Sequence, residues 1–436
     1  MTTTVLPTFD KAGFEALLAS RQEPAWVTQQ RRTAWAMFEE KPWPSRSDEE
    51  WIRTDIRMFK PESYKLPLEN APAGVALPSL LAEGVTLGGH SHSLNSRDAS
   101  AQLNEKWQKK GVIFGSLEAA LQTHGDQLRP HLFAHGFKPG YDKLSALHAA
   151  TWSGGHVLYV PRGVVIDEPL HILSSMTNNG VDLDHILVVL EEGAEATVMS
   201  ETSSFDEQDG GLHLGGVEVL LKPGANLRFV SLQDWGKNAW NFAHQKLNVD
   251  ADASLQWTVA ALGSKLSKVN QTVELIGPGA NCQVNGVMFT EGKQHVAYHT
   301  LQHHAAPHCT SDFLYKAALQ DKSRTVWRGM IKVDHGAQKT DGYQRNDNLL
   351  LSANSRADSI PGLEINADDV RCTHGSTTGK VDEELIFYAQ CRGLTRKEAV
   401  RLIVSGFFQQ VFDRISIESV REALSLALAK RVRESA

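Results

Sequence analysis

From about residue 152 to the stretch Pro361–Gly379, short runs rich in Val, Ile, Leu and Thr alternate with turn residues. Residues two apart on a strand share a face. LRFVSL therefore turns Leu227 and Phe229 to one side, and the next run does the same with Leu255, Trp257 and Val259. One turn-like phrase recurs ahead of these runs: Glu192-Gly193-Ala194, Pro223-Gly224-Ala225, Ala251-Asp252-Ala253 and Pro278-Gly279-Ala280. The steps from Gly193 to Gly224, Asp252 and Gly279 are 31, 28 and 27 residues. A strand-rich unit of that size cannot bury its apolar face alone and must stack on its neighbours. The pattern predicts a mainly β chain built on a parallel β-helix. A propeller would need repeats of about 40 residues or more. A β-sandwich with evenly spaced turns is the competing reading.

Helical patterns flank the repeats. Pro24 suits a first helical turn, Trp26, Ala34, Trp35 and Phe38 follow at helical spacings, and Pro42-Trp43-Pro44 ends that helix. Asp48-Glu49-Glu50-Trp51 reads as an acidic start to another short element, residues 61–100 as loop with short strands, and Ser116 as the cap of a helix beginning Leu117-Glu118-Ala119-Ala120-Leu121. After Gly379, Asp382-Glu383-Glu384 places acid at a helix start and Gly393 is a stop. Thr395-Arg396-Lys397-Glu398 is a capping box opening a helix with a stripe of Ala399, Leu402, Ile403, Gly406, Phe407 and Gln410. Gly406 lowers helix propensity, which predicts a close packing contact there. Ser416 is expected to cap a last helix with the stripe Val420, Ala423, Leu424, Ala427 and Leu428 and with Lys430, Arg431 and Arg433 at its end. The expected organisation is 1–150 helical with loops, 151–375 β-helix, and 376–436 helical.

With 436 residues the chain is long enough for two or three units, and a net charge of −7 with pI near 6.2 gives no basic footprint for nucleic acid. No basic-then-apolar leader opens the chain, and no apolar run reaches the ~20 residues of a membrane helix. Four cysteines in so long a chain do not form a disulfide framework, so a reduced, cytoplasmic protein is expected. A P-loop, a dinucleotide fingerprint, HExxH and GxSxG are all missing, which argues against a standalone NTPase.

Two clusters carry candidate chemistry. His295, His299, His303, His304 and His308 with Cys309 fall within 15 positions. They read either as ligands for Zn or Fe or as a polar ladder along the solenoid. Cys372-Thr373-His374, preceded by Asp368 and Asp369, puts a thiol and an imidazole on one face of an extended segment. The pair reads as two ligands of an incomplete metal site or as a packed thiol beside a hydrogen-bonded His. A metalloenzyme or a carbohydrate-active solenoid stays open at this point.

The stretch PGLEINADDVRCTHGSTTGKVDEELIFYAQCRGLTRKEAVRLIVSGFFQQVF resembles the C-terminal signature of the SufB/SufD family. HHAAPHCTSDFLYKAALQDKSRTVWRGMIKVDHGAQKTDGYQRNDNLLLS is also similar to it, and weaker similarity reaches Glu49-Glu50-Trp51-Ile52-Arg53-Thr54. EEWIRTDI, the run Asp-Asp-Val-Arg-Cys-Thr-His-Gly and the lack of an N-terminal CxxCxxxC resemble the SufD branch more than the SufB branch. The resemblance implies a right-handed parallel β-helix flanked by helices and a non-catalytic scaffold role in Fe–S cluster assembly. It further implies pairing with a SufB-like chain, docking of a SufC-like ABC-type ATPase on the C-terminal helices, and homodimerisation when isolated. On this basis His374 first and Cys372 second form an interfacial metal half-site, with iron or an Fe–S cluster held only transiently in the complex. Leu402, Ile403, Phe407, Phe408 and Val411 become the expected ATPase-docking residues. A SufB-like, cluster-holding role is the alternative within the family. Flavin, reported for assembled complexes of the family, is neither supported nor excluded by these residues.

Overall fold

The recurring phrases are the corners of a solenoid. In the computed structural model, which describes residues 7–69, 71 and 74–432, Gly193, Gly224, Asp252 and Gly279 all take left-handed backbone angles, with φ between 54° and 75°. Glycine does this without strain and Asp more readily than most residues. The corner then recurs without glycine at His308 (φ 60°) and Lys339 (φ 59°). Hydrogen bonds tie corner to corner along the stack: Gly193 N to Pro223 O, Gly224 N to Ala251 O, Asp252 N to Pro278 O, Gly279 N to Pro307 O and His308 N to Gln338 O, at 2.8–3.3 Å. The residue after each corner is small and buried: Ala194, Ala225, Ala253, Ala280, then Cys309.

Each turn lays one strand into each of two sheets. Sheet I runs in parallel from Leu170–Met176 through Glu195–Ser204, Asn226–Asp234, Ser254–Ala261, Asn281–Thr290, Thr310–Leu319 and Asp341–Leu350 to Arg371–Lys380. Sheet II runs likewise from His156–Val160 through His185–Leu190, Gly210–Leu221, Asn238–Val249, Leu266–Leu275, His295–His304 and Arg324–Val333 to Arg356–Ile365. The result is a parallel β-solenoid of about 8 turns, as the repeat predicted, and not a sandwich. Its lumen is filled by the inward residues of both sheets, with Phe229 stacked on Trp257 at 5.8 Å between ring centres and Trp257 donating Nε1–H to Ser231 Oγ at 2.9 Å.

The two ends of the stack differ. At the start, Gly89–Leu94 adds in parallel to Leu170–Met176 and is itself covered by Arg97–Leu103, while Ile113–Ser116 pairs antiparallel with His156–Val160. The first sheet strands thus come from the N-terminal region. At the other end the outer side of the last strand of each sheet is unpaired among the described residues. The strands run to Lys380 and the helices begin at Glu383.

The outer faces are covered by helices. Lys11–Ala19, Ala25–Glu40 and Lys143–Thr151 lie on sheet II, where Phe14, Trp35 and Trp51 join Trp240 and Phe242. Buried Arg31 ties this layer together, pairing with Glu23 at 3.0 Å, donating to Trp152 O at 2.8 Å and resting over the Trp152 ring. The stretch around Asp48–Trp51 is a series of turns, not a helix, although Trp51 is buried. Glu383–Cys391, Arg396–Phe412 and Glu418–Arg431 lie on sheet I, burying Val404, Phe408, Val411, Phe412, Leu424 and Leu428 against Val230, Leu232, Phe289 and Leu314. The Thr395–Glu398 capping box forms as expected, and Ser116 and Asp382 cap their helices. Three expectations need correction. The buried stripe of Arg396–Phe412 is rotated away from Leu402, because the sheet below takes the Val400, Val404, Phe408 and Val411 face. A Cβ at Gly406 would meet nothing within 4 Å, so no close contact explains that glycine. Ser416 gives its hydroxyl to Gln256 Oε1 and Ile417 occupies the cap position of the last helix. Arg433 lies outside the described residues. Among the described residues no helix is long and apolar enough to cross a membrane.

Candidate functional site

The open end of the solenoid is where backbone hydrogen-bonding capacity is left over. Among the described residues, Arg371–Lys380 pairs only with Asp341–Leu350, and Arg356–Ile365 only with Arg324–Val333. Each is a ten-residue edge strand with one side of its backbone unpaired, a template for another strand. Arg371–Lys380 is largely exposed, and Arg356–Ile365 is half-buried with Leu363 and Ile365 exposed; neither has a fully buried residue, unlike the strand before each. An open edge of this length is a liability unless something covers it.

Cys372 and His374 sit on this edge, and alternation puts both on the lumen side. Cys372 pairs in register with Gly342, and its Sγ lies 3.3 Å from where a Cβ on that glycine would be. The thiol packs with Ile331, Val333 and Val370 in the last apolar cluster. It is half-buried, and burial pushes its pKa up, with the backbone N–H of Gly342 acting in the opposite direction. Unaided, the sulfur is a thiol; a metal or an incoming cation is needed to hold the thiolate that would act as ligand. His374 is exposed and pairs in register with Gln344. Gln344 is fully buried and spans the lumen, donating Nε2–H to Gly362 O at 3.0 Å on the opposite sheet, while its Oε1 has no partner. A soft sulfur and a borderline nitrogen thus face the mouth of the lumen above an amide crossbar. A tetrahedral Zn or Fe–S site takes four such donors, two more than this pair. Asp368 and Asp369 are exposed on the preceding turn.

The His295–Cys309 cluster is taken apart by the fold. His295, His299 and His303 share the outward face of one strand, as alternation requires. Residues four apart on a strand lie about 13 Å from each other, too far to share one ion. Each has its own surroundings: His295 meets Thr54 Oγ1 at 3.3 Å, and His303 bridges Asp334 Oδ2 at 2.9 Å and Glu274 Oε1 at 3.4 Å. His304 turns inward to Ser311 Oγ at 2.8 Å, His308 is a corner, and Cys309 fills a stacked alanine position. Among the described residues no group of three or more His, Cys, Asp or Glu side chains is arranged to hold a metal ion.

The expected docking residues divide. Phe408 and Val411 are fully buried on sheet I and are occupied by the fold itself, Ile403 and Phe407 are half-buried, and Leu402 is 61% exposed. The short helix Glu383–Cys391 likewise exposes Leu385, Phe387 and Tyr388, with Phe387 at 68%. The two helices are clamped by the Arg396–Glu383 ion pair at 2.7 Å. The run Leu385-Ile386-Phe387-Tyr388 held a signal for this patch, because a helix lying on a sheet can bury only one face of four consecutive apolar residues, here Ile386. Gln344 had no comparable signal.

Comparison with known proteins bears on this arrangement. The family model described as "SUF system FeS cluster assembly, SufBD core domain" matches residues 172–407, and the one described as "SufBD protein N-terminal region" matches residues 14–172. An iron-sulfur cluster assembly SufBD family protein of Staphylococcus epidermidis is 26% identical over 411 residues, covering 91% of this chain and 88% of the relative. The iron-sulfur cluster assembly protein SufB of Bacillus subtilis is 25% identical over 429 residues, covering 93% and 89%.

Proposed function

The chain belongs to the SufBD family of the SUF iron-sulfur cluster assembly system, and on that premise we propose that it is a SufD-like, non-catalytic scaffold subunit whose open solenoid end pairs with a SufB-like chain. The observation that carries this reading is the pair of unpaired terminal strands with Cys372 and His374 facing the lumen between them. A partner that adds strands to both edges covers their unpaired backbone groups and brings its own ligands to the same mouth. Cys372 and His374 then complete a site with the partner's groups, and iron or a nascent cluster is the cargo held there in passing. The chain by itself keeps no resident cofactor. The exposed Leu385, Phe387, Tyr388 and Leu402 patch is the docking face for a SufC-like ATPase. The assembly works in the cytoplasm.

The name of the Bacillus subtilis relative favours a second reading, in which this chain takes the SufB-like, cluster-holding part. Co-expression with a SufB-like chain and a SufC-like ATPase, followed by size-exclusion chromatography and anaerobic reconstitution, separates the two. The SufD-like reading expects a complex containing all three and little cluster on the chain alone. A stable cluster on the isolated chain favours the SufB-like reading. A folded chain that recovers neither partner refutes both.

A further inference from the structure

A cleft of about 390 Å³ lies between the N-terminal region and the outward face of sheet II, away from the open lumen. Its size falls in the range of small-molecule sites. The parallel register aligns His244, Asn270, His299 and Arg328 in one row across its floor, about 4.8 Å per strand. Phe137 and Tyr141 of the N-terminal region form the facing wall, and Leu301 and Met330 lie on the floor one step along. The cleft therefore has an apolar slot beside a row of hydrogen-bonding groups.

The charges around it are unevenly satisfied. Each carboxylate on the cleft wall already has a partner. Glu50 accepts from the Tyr141 hydroxyl at 2.6 Å, Glu274 contacts Lys246, and Glu364 is held by Lys332 at 3.1 Å. The cations are less well served. Arg328 pairs at 2.7 Å with Glu49, whose side chain is 83% exposed and so screens it weakly. One step along the same face from Asn270, Lys268 is buried with its ammonium 3.2 Å from Asn270 Oδ1 and over the Trp51 ring, and burial lowers its pKa to about 7 against the attraction of Glu50 and Asp142. Beside Arg328 sits His299, with a buried Nδ1 that has no partner among the described residues. Burial, then Lys268 and Arg328, hold its pKa down to about 2, so the imidazole is neutral and one of its nitrogens carries a proton to donate. The middle of the cleft thus sets the Arg328 guanidinium beside a neutral imidazole.

We propose that this cleft binds a small organic anion, with its carboxylate or phosphate oxygens over His299 and Arg328 and a flat apolar body in the slot between Phe137, Tyr141, Leu301 and Met330. Arg328 supplies a planar fork for paired anionic oxygens. A cationic ligand of the same shape would have to displace Lys246 from Glu274, Lys332 from Glu364 or the Tyr141 hydroxyl from Glu50.

The test is a calorimetric and ligand-observed NMR titration of the purified full chain with naphthoate, naphthyl phosphate and naphthylmethylammonium. The expected result is saturable one-to-one binding of at least one anion and none of the ammonium; the tighter of the two anions identifies the head group. Arg328→Gln should weaken binding roughly tenfold or more. Thr272→Trp, which plugs the floor, should abolish it, with thermal unfolding confirming that both variants remain folded. The proposal is overturned if neither anion saturates, if the ammonium binds as well as the anions, or if folded Arg328→Gln or folded Thr272→Trp binds like the wild type. Because the isolated chain is used, failure here leaves the assembly role untouched, and failure of partner recovery leaves the cleft untouched.

Discussion

Replacing Lys268 with Met should stabilise the protein, and by an amount that depends on pH. Lys268 is 2% exposed, and burial lowers its pKa from 10.5 to about 7, against the attraction of Glu50 and Asp142 and with help from Arg328. Below about pH 7 the side chain is charged in both the folded and unfolded chain, and the folded state bears the whole desolvation penalty. Between about pH 7 and 10.5 the folded chain has released the proton while the unfolded chain keeps it, so stability rises with pH. Above 10.5 both are neutral and the effect is gone. At about 1.4 kcal/mol per pH unit, the distance from 10.5 to 7 bounds the penalty at about 5 kcal/mol. Met has nearly the same length and fills the same channel beside Trp51 without a charge. Urea unfolding of wild type and Lys268→Met at about pH 6 and about pH 10 measures the difference directly. The variant should be more stable by ~2–5 kcal/mol at the lower pH, and that advantage should largely vanish at the higher pH. A difference of the same size at both pH values would refute the claim that a buried ammonium causes it.

Two other substitutions probe the packing and the surface. A Cβ at Gly286 would fall 2.2 Å from the ring of Tyr315 inside the lumen, so Gly286→Ala should cost about 1–3 kcal/mol in urea unfolding, since the stacked strands leave little room to relax. Phe387→Ser together with Leu402→Ser should change thermal stability very little, because both side chains are more than half exposed, yet should reduce retention of a SufC-like ATPase in a pull-down at least several-fold; unchanged retention would move the docking face elsewhere.

The solenoid was legible because its corners are chemically marked: Gly193, Gly224 and Gly279 supply the left-handed angle, and a small buried residue follows each one. The same corner at His308 and Lys339 was not legible, since neither residue signals positive φ and only the hydrogen bonds to neighbouring corners hold it. That is why His308 and Cys309 looked like metal ligands in the sequence: they stand in the corner and alanine positions of the repeat. Strand alternation correctly put Cys372 and His374 on one face, but it could not say that this face looks into the lumen. That depends on the register with Gly342 and Gln344. The helix Arg396–Phe412 was legible through its capping box, while its buried face was not, because apolar residues occur on two faces and the sheet beneath chooses between them. The anion cleft left no trace in the sequence. Its floor is one residue from each of four strands, separated by 26 to 29 positions and aligned only by the parallel register.

The claim at the centre of the account is that Cys372 and His374 are half of a site completed at the open end by a partner chain. The measurement that tests it most directly is cluster loading of a co-expressed complex with a SufB-like chain and a SufC-like ATPase, comparing wild type with His374→Ala and taking iron and sulfide per complex after anaerobic reconstitution. Size-exclusion chromatography of the same samples reports assembly. The account predicts an intact complex whose loading falls roughly tenfold or more, as when a metal site loses a ligand. An intact His374→Ala complex that loads like the wild type would contradict it.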